Sequence, residues 1–245
     1  MIIKIGCCGF QKKREIYYEN FKLVELQETF YKIPSIDRMM QLRKEAPKDF
    51  EFTFKCFQGI THEVSSPTWK RSGIKNLEEL KNKVGSLRLT KEVMEYWKEQ
   101  IKISKALNSK ICLIQLPSSF KDNEEGIKNA ENFFYGIERN KLEIAIELRG
   151  WNRENILKLC KKFNLIHCVD PLKEEATYFG INKIAYFRLH GLGKTMYKYK
   201  YTDNDLKNLL NIIKKLELNE VYILFNNIYM YEDALRFQRI VSSNL

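Results

Sequence analysis

Eight short apolar runs recur along the chain, at residues 2 to 8, 22 to 26, 51 to 56, 111 to 116, 143 to 148, 165 to 169, 183 to 189 and 220 to 225. Each carries too few polar alternations for a strand with one wet face, so the pattern predicts strands buried on both sides and paired in parallel. Between them the apolar period lengthens to that of a helix. Thr90 opens a stripe of Val93, Met94, Trp97, Ile101 and Leu107, and Asn123 precedes Ile127, Ala130, Phe134 and Ile137. Ser35 and Asn152 are read as further helix starts, and Thr202 with Asp205 has the spacing of a capping box ahead of Leu206, Leu209, Leu210 and Ile213.

Strand and helix thus alternate to the end of the chain. An open doubly wound sheet would normally follow its first strand with a glycine-rich phosphate loop, and none is present here. The expectation is therefore an α/β chain folded as one (β/α)₈ barrel, a size that 245 residues suit. The long interval from 57 to 110 contains helical patterns of its own and reads as an elaborated segment between strands three and four.

Composition narrows the setting. Hydrophobic residues make up 44%, enough to exclude extended disorder. The opening MIIKIGCCGF has no basic stretch before a long apolar core, and no run of about 18 apolar residues occurs, which predicts a cytoplasmic protein with no membrane partner. Six cysteines without a CxxC pair, most of them in apolar runs, read as reduced buried thiols and exclude a zinc ribbon. Lys and Arg exceed Asp and Glu by 42 to 31, a net charge of +11. Collected on one face, that charge attracts phosphate; dispersed over Lys- and Glu-rich helices, it only solubilises.

In a barrel of this kind the chemistry belongs at the C-terminal ends of the strands. That rule selects Glu25 and Glu28, Lys55 and His62, Gln115, Glu147 and Arg149, Asp170, Arg188 and His190, and Asn226 and Asn227. Charges inside the apolar contexts AIELRG and YFRLHG need partners. Two readings are open: a structural Arg and Glu network that plugs the mouth, or a site in which Arg149 and Arg188 clamp an anion. Glu25 and Glu147 are candidates for paired acid and base work, with His190 as a third proton-transfer group. Of the three histidines, His167 sits among apolar neighbours and reads as a core imidazole. One divalent metal ion held by Glu147, Asp170 and His190 is chemically acceptable. Cys7 and Cys8 are read as packing. The segment HGLGKTMYKYKY alternates Lys194, Lys198 and Lys200 with Tyr197, Tyr199 and Tyr201, which suits either a phosphate-gripping loop or a lid whose tyrosines pack inward.

Six motifs in succession resemble the YecE-like family, domain of unknown function seventy-two: VELQETFYKIP (24 to 34), FTFKCFQGITH (52 to 62), LIQLPSSF (113 to 120), IAIELRGW (144 to 151), YFRLHG (186 to 191) and ILFNN (223 to 227). The resemblance implies a TIM barrel related in outline to endonuclease IV and to xylose-isomerase-type barrels. The positions it emphasises are Glu25, Thr29, Tyr31, Lys55, His62, Gln115, Glu147, Arg149, Arg188, His190, Asn226 and Asn227. The chain departs from the family pattern in a shortened segment after the first strand and in Gln27, and it lacks the histidines for the zinc cluster of endonuclease IV. Three functional expectations follow. The first is a phosphate-bearing ligand, either a nucleic acid or a sugar phosphate, bound through Lys55, Arg149, Arg188 and the loop with Tyr197, with hydrolysis as the reaction. The second is a metal-assisted sugar isomerase or hydrolase, and the third a binding module without catalysis.

Overall fold

A computed structural model describes residues 1–193 and 195–244. Eight parallel strands run around one sheet: β1 (Ile2–Cys8), β2 (Leu23–Leu26), β3 (Glu51–Lys55), β4 (Ile111–Leu116), β5 (Glu143–Leu148), β6 (Ile166–His167), β7 (Ile184–Leu189) and β8 (Glu220–Phe225). Their order is β6-β5-β4-β3-β2-β1-β8-β7. The ring closes where β6 meets β7, through one parallel bridge between Val169 and Phe187 and the Arg188 amide donating to the Val169 carbonyl at 2.9 Å. The expected barrel is therefore the observed one. The strand predicted over 165 to 169 is shorter than expected, because the segment from 176 onward turns back across it: the His167 amide donates to Tyr178, and Ile166 pairs antiparallel with Phe179.

The helices are α1 (Arg14–Asn20), α2 (Glu28–Tyr31), α3 (Ile36–Glu45), α4 (Gln58–Thr61), α5 (Lys91–Leu107), α6 (Glu124–Gly136), α7 (Arg153–Phe163), α8 (Asp203–Lys214) and α9 (Met230–Ser242). Ser35, Thr90, Asn123 and Asn152 each accept a backbone N–H three residues on, and Thr202 with Asp205 completes the capping box, so each of these helices starts where its sequence places an oxygen for the unpaired amides. The interval between β3 and β4 holds α4, two short 3₁₀ turns (Pro67–Arg71 and Glu78–Leu80) and α5.

Strand alternation divides the interior in two. One set, including Val24, Phe52, Phe54, Ile114, Ile146, Phe187, Ile223 and Phe225, packs outward under the helices in the larger core. The other set points inward and fills the barrel with Leu23, Leu113, Ala145, Ile166, Tyr186, Tyr222 and Leu224. At the N-terminal end this filling is polar: Lys4 reaches Glu51 at 2.5 Å and pairs with Glu220, and the Tyr222 hydroxyl donates to Glu51 at 2.8 Å. All six cysteines are free and buried, as expected. Among the described residues no helix is long and apolar enough to cross a membrane.

Candidate functional site

The alternation that sends Tyr186 inward also sends Arg188 and His190 inward, and the same period on the other strands brings Cys8, Glu25, Thr53, Lys55, Gln115, Glu147 and Asn226 to the C-terminal mouth. Arg188 is the centre of this layer. One terminal nitrogen donates to Glu147 at 2.7 Å and to Gln115 at 3.0 Å; the other donates to Glu25 at 2.9 Å and lies 3.7 Å from the Cys8 sulfur. Glu25 also accepts from the Tyr186 hydroxyl at 2.7 Å and from the Gln27 amide, and Tyr186 is joined to Thr53 at 2.7 Å. Of the Arg188 guanidinium nitrogens, Nε alone is left buried without a partner among the described residues.

Glu147 is bracketed from both sides. Its second oxygen accepts from Arg149 Nε at 2.6 Å. Burial alone would raise its carboxyl, but Arg188 and Arg149, helped by His190, hold it down at about 2. The His190 Nε2 lies 3.4 Å from a guanidinium nitrogen of each arginine. Burial, with Arg188 next, lowers that imidazole to about 3, so it is neutral. Of the residues expected to transfer protons, Glu25 and Glu147 accept hydrogen bonds from Arg188, and the His190 imidazole beside them is held neutral. All three lie against guanidinium groups.

The expected metal set is not assembled either. The Asp170 carboxylate accepts the backbone N–H of Leu172 at 3.2 Å and of His190 at 3.1 Å, which makes it the tie between the β6 and β7 ends. Both oxygens of Glu147 face arginines, as does the His190 nitrogen. Among the described residues no group of three or more His, Cys, Asp or Glu is placed to hold a metal ion.

Lys55 stands apart. Its side chain is buried, and among the described residues its ammonium makes no hydrogen bond or ion pair; it lies 3.8 Å from the centre of the Phe30 ring. Burial lowers it, and Arg188 lowers it further against the opposing pull of Glu147 and Glu25, to about 8. The backbone beneath is fixed, since the Thr29 hydroxyl donates to the Lys55 carbonyl at 2.7 Å. His62 packs edge-on against the same Phe30 ring at 5.0 Å and holds the Thr61 hydroxyl at 2.7 Å through Nδ1, and burial together with Lys55 lowers it to about 3. Three cations, Lys55, Arg149 and Arg188, thus face two carboxylates, Glu25 and Glu147, a balance of one positive charge.

The rim is more open. Gln115, Arg149 and Asn226 are half-buried, and the Asn226 side chain makes no hydrogen bond among the described residues. Tyr197 is 45% exposed and meets His190 edge-on at 5.7 Å. The other tyrosines of that segment turn away: the Tyr199 hydroxyl donates to Asp205 at 2.8 Å and the Tyr201 hydroxyl accepts from the Gly191 amide at 2.6 Å. Lys194 lies outside the described residues. Asn227, expected at the pocket, instead donates to the Tyr199 carbonyl at 2.7 Å and to Asp233 at 2.8 Å, tying the loop to α9. Glu28 pairs with Arg38 at 2.7 Å beside a cleft of 690 Å³ between the β1 and β2 loops and α3, in which Arg14 also pairs with Glu45 at 2.6 Å. That cleft adjoins the mouth through Gln27, but its guanidinium groups are already neutralised by carboxylates, so the free positive charge lies with Lys55. Sequence reasoning missed Thr53, Tyr186 and Phe30, and singled out Gln27 only as a departure from the family pattern. The inward period of β7 carried a signal for Tyr186; none existed for Phe30, whose part depends on how α2 lies over β3.

A barrel with a charged, inward-facing layer at its C-terminal end is the class of protein that this geometry defines. The chain belongs to the family described as "Protein of unknown function DUF72", whose profile matches residues 6–244. It is similar to the DUF72 family protein of Thermotoga maritima, with 25% identity, TM-score 0.70, and 99% of this chain and 100% of that chain covered. The DUF72 family protein of Enterococcus faecalis shows 22% identity and a TM-score of 0.74, covering 98% of each chain. Endonuclease IV from Thermus thermophilus shares the fold alone, at 10% identity and TM-score 0.54, with 99% of this chain and 98% of that chain covered. No curated protein matches the chain.

Proposed function

We propose that the barrel mouth binds a small anionic ligand, a phosphate ester of sugar size, with the anion over Lys55 and the edge of Arg149. The observation that carries this reading is the Lys55 side chain, buried at the mouth with its ammonium in no hydrogen bond or ion pair among the described residues. A cation withdrawn from water is costly unless an anion joins it, and a ligand anion supplies the missing partner. His62 and His190, both neutral, can exchange hydrogen bonds with the polar body of the ligand without adding repulsion, and the free amide of Asn226 adds an orienting contact. Arg188 serves as scaffold, since its hydrogen bonds go to Glu25, Glu147 and Gln115.

A nucleic acid fits less well. The loop read as a Tyr and Lys grip sends only one ring to the mouth, and many surface cations are paired, as in Lys158 with Glu154 at 2.6 Å and Lys162 with Glu131 at 2.7 Å. Titration calorimetry with inorganic phosphate, glucose 6-phosphate and ribose 5-phosphate tests the proposal. It is run on the wild type, Lys55→Met and Arg149→Gln, beside anisotropy with labelled DNA and RNA at two salt concentrations. Binding of a phosphate compound that Lys55→Met abolishes supports the reading. The same affinity in Lys55→Met, or tight salt-dependent binding of nucleic acid alone, overturns it.

A further inference from the structure

The mouth contains an amine whose surroundings suit bond formation as well as charge pairing. Lys55 projects from the last residue of β3, on a backbone pinned by Thr29, into a buried position with an aromatic face on one side and a neutral imidazole beyond it. An anchor for an anion needs only to stay charged, and a surface lysine does so with its ammonium in water. A nucleophilic amine needs the opposite: a site that strips water from the ammonium, offers it no carboxylate, and surrounds it with other cations, so that the neutral form is within reach. Here Glu25 and Glu147 are both engaged by Arg188 and neither pairs with Lys55, although both still favour its charged form from a distance. Lys4, the other lysine at an end of the barrel, shows the contrast, as its ammonium is held by both Glu51 and Glu220.

We propose that Lys55 forms an imine with the carbonyl carbon of the ligand, so that the mouth takes an aldehyde or ketone that also carries a phosphate group, which rests against Arg149 once the Lys55 amine is neutral. The inference rests on the anion-site reading and narrows its substrate class. The neutral amine adds its lone pair to the carbonyl carbon while the π pair moves onto oxygen; proton transfer from nitrogen to oxygen gives the carbinolamine. The nitrogen lone pair then expels the hydroxyl group, and both amine hydrogens leave with the carbonyl oxygen as one water. No oxidant or reductant enters. His62 is placed to assist: when the Thr61 hydroxyl donates to Nδ1, the ring proton sits on Nε2, free to hydrogen-bond the carbonyl oxygen as it gains charge. The lowering of Lys55 to about 8 agrees with this assignment, since on the order of a tenth of the amine is then neutral at pH 7.

The test is reductive trapping. The full chain is incubated with dihydroxyacetone phosphate, or with uncharged dihydroxyacetone, in the presence of sodium cyanoborohydride, and adducts are located by intact mass and peptide mapping. The expected result is a single adduct on Lys55 that forms at least tenfold faster than on any exposed lysine, rises in rate as pH passes 8, is slowed by inorganic phosphate, and is absent in Lys55→Met and Lys55→Arg, both checked for folding by circular dichroism. Labelling of Lys55 no faster than of the exposed lysines overturns the imine, and if phosphate still binds calorimetrically the anion site survives it. Rapid trapping of both carbonyl compounds without competition by phosphate keeps the imine and overturns the anion site.

Discussion

Arg188 and Glu25 meet at 2.9 Å with side chains 1% and 0% exposed, a charge pair wholly withdrawn from water. Neither residue can be understood alone. Arg188 also carries Glu147, and Glu25 also takes Tyr186, so one guanidinium balances two carboxylates on opposite sides of the barrel interior. Breaking such a pair from one side strands a charge, whereas replacing it whole is often tolerated.

Arg188→Leu is therefore expected to destabilise the fold by about 3–5 kcal/mol, because Glu25 and Glu147 lose their shared counter-charge. Urea denaturation followed by circular dichroism measures the loss. Adding Glu147→Gln to Arg188→Leu should restore part of it. If the double variant is weaker by the sum of the two single effects, the cost lies in packing and not in stranded charge.

Lys55→Met should raise stability at pH 7 by about 1–4 kcal/mol, since it removes a buried cation that no hydrogen bond or ion pair holds and leaves an apolar side chain against Phe30. The sign follows from linkage. The amine is lowered in the folded state, so the unfolded chain binds more protons between pH 8 and the ordinary lysine value, and wild-type stability gains from this group as pH rises through that window. A thermal melt of Lys55→Met that is unchanged or lower at pH 7 contradicts the assignment of Lys55 as a strained, functional cation.

Acid should unfold the protein in two overlapping steps. His62 and His190 are lowered to about 3 and His167 to about 4, all by burial first, so the unfolded chain takes up protons that the folded chain refuses as pH falls from the ordinary histidine value of 6.5. Stability from these groups is complete above that value and declines below it. Glu147, held at about 2, adds a further loss as pH falls from the ordinary 4.5. Urea midpoints at pH 7.5, 6, 5 and 4 should fall steadily, with the first drop already between 7.5 and 5; a flat profile over that interval would refute neutral buried imidazoles.

Gly6→Ala should destabilise by about 1–3 kcal/mol or more, because a Cβ at that position would stand 2.1 Å from the Leu23 carbonyl oxygen, a backbone atom of the strand to which β1 is paired. Denaturant midpoints of Gly6→Ala against Gly73→Ala separate this contact from mere loss of a glycine. Gly73 adopts φ +77 with open space around it and should cost only local backbone strain.

The barrel was legible because its strands are nearly pure apolar runs and its helices begin on side-chain caps: Thr90, Asn123, Asn152 and Thr202 act where the sequence placed them. Which charges meet at the barrel mouth was legible for the same reason, as a charge inside an apolar strand has few places to go. Roles were not. That Glu147 meets two arginines, and that Asp170 ties backbone amides, depends on rotamers and on which neighbour arrives across the barrel. Asn226 and Asn227 are adjacent and alike in sequence, yet only Asn227 is drawn into the Tyr199 and Asp233 tie.

The seam between β6 and β7 has a consequence for how the molecule breathes. Every other junction in the ring is a ladder of paired strands, but this one is a single bridge at Val169 and Phe187. The ring is thus a band with one weak clasp, and amide exchange at Arg188 should report local opening there before the deeper strands yield. The Asp170 carboxylate fastens the clasp to the His190 amide, so opening would swing Arg188 and His190 away from Glu147 together. A ligand that reaches from Arg149 and Lys55 on one side of the clasp to His190 on the other would span it, and by mass action would keep it shut.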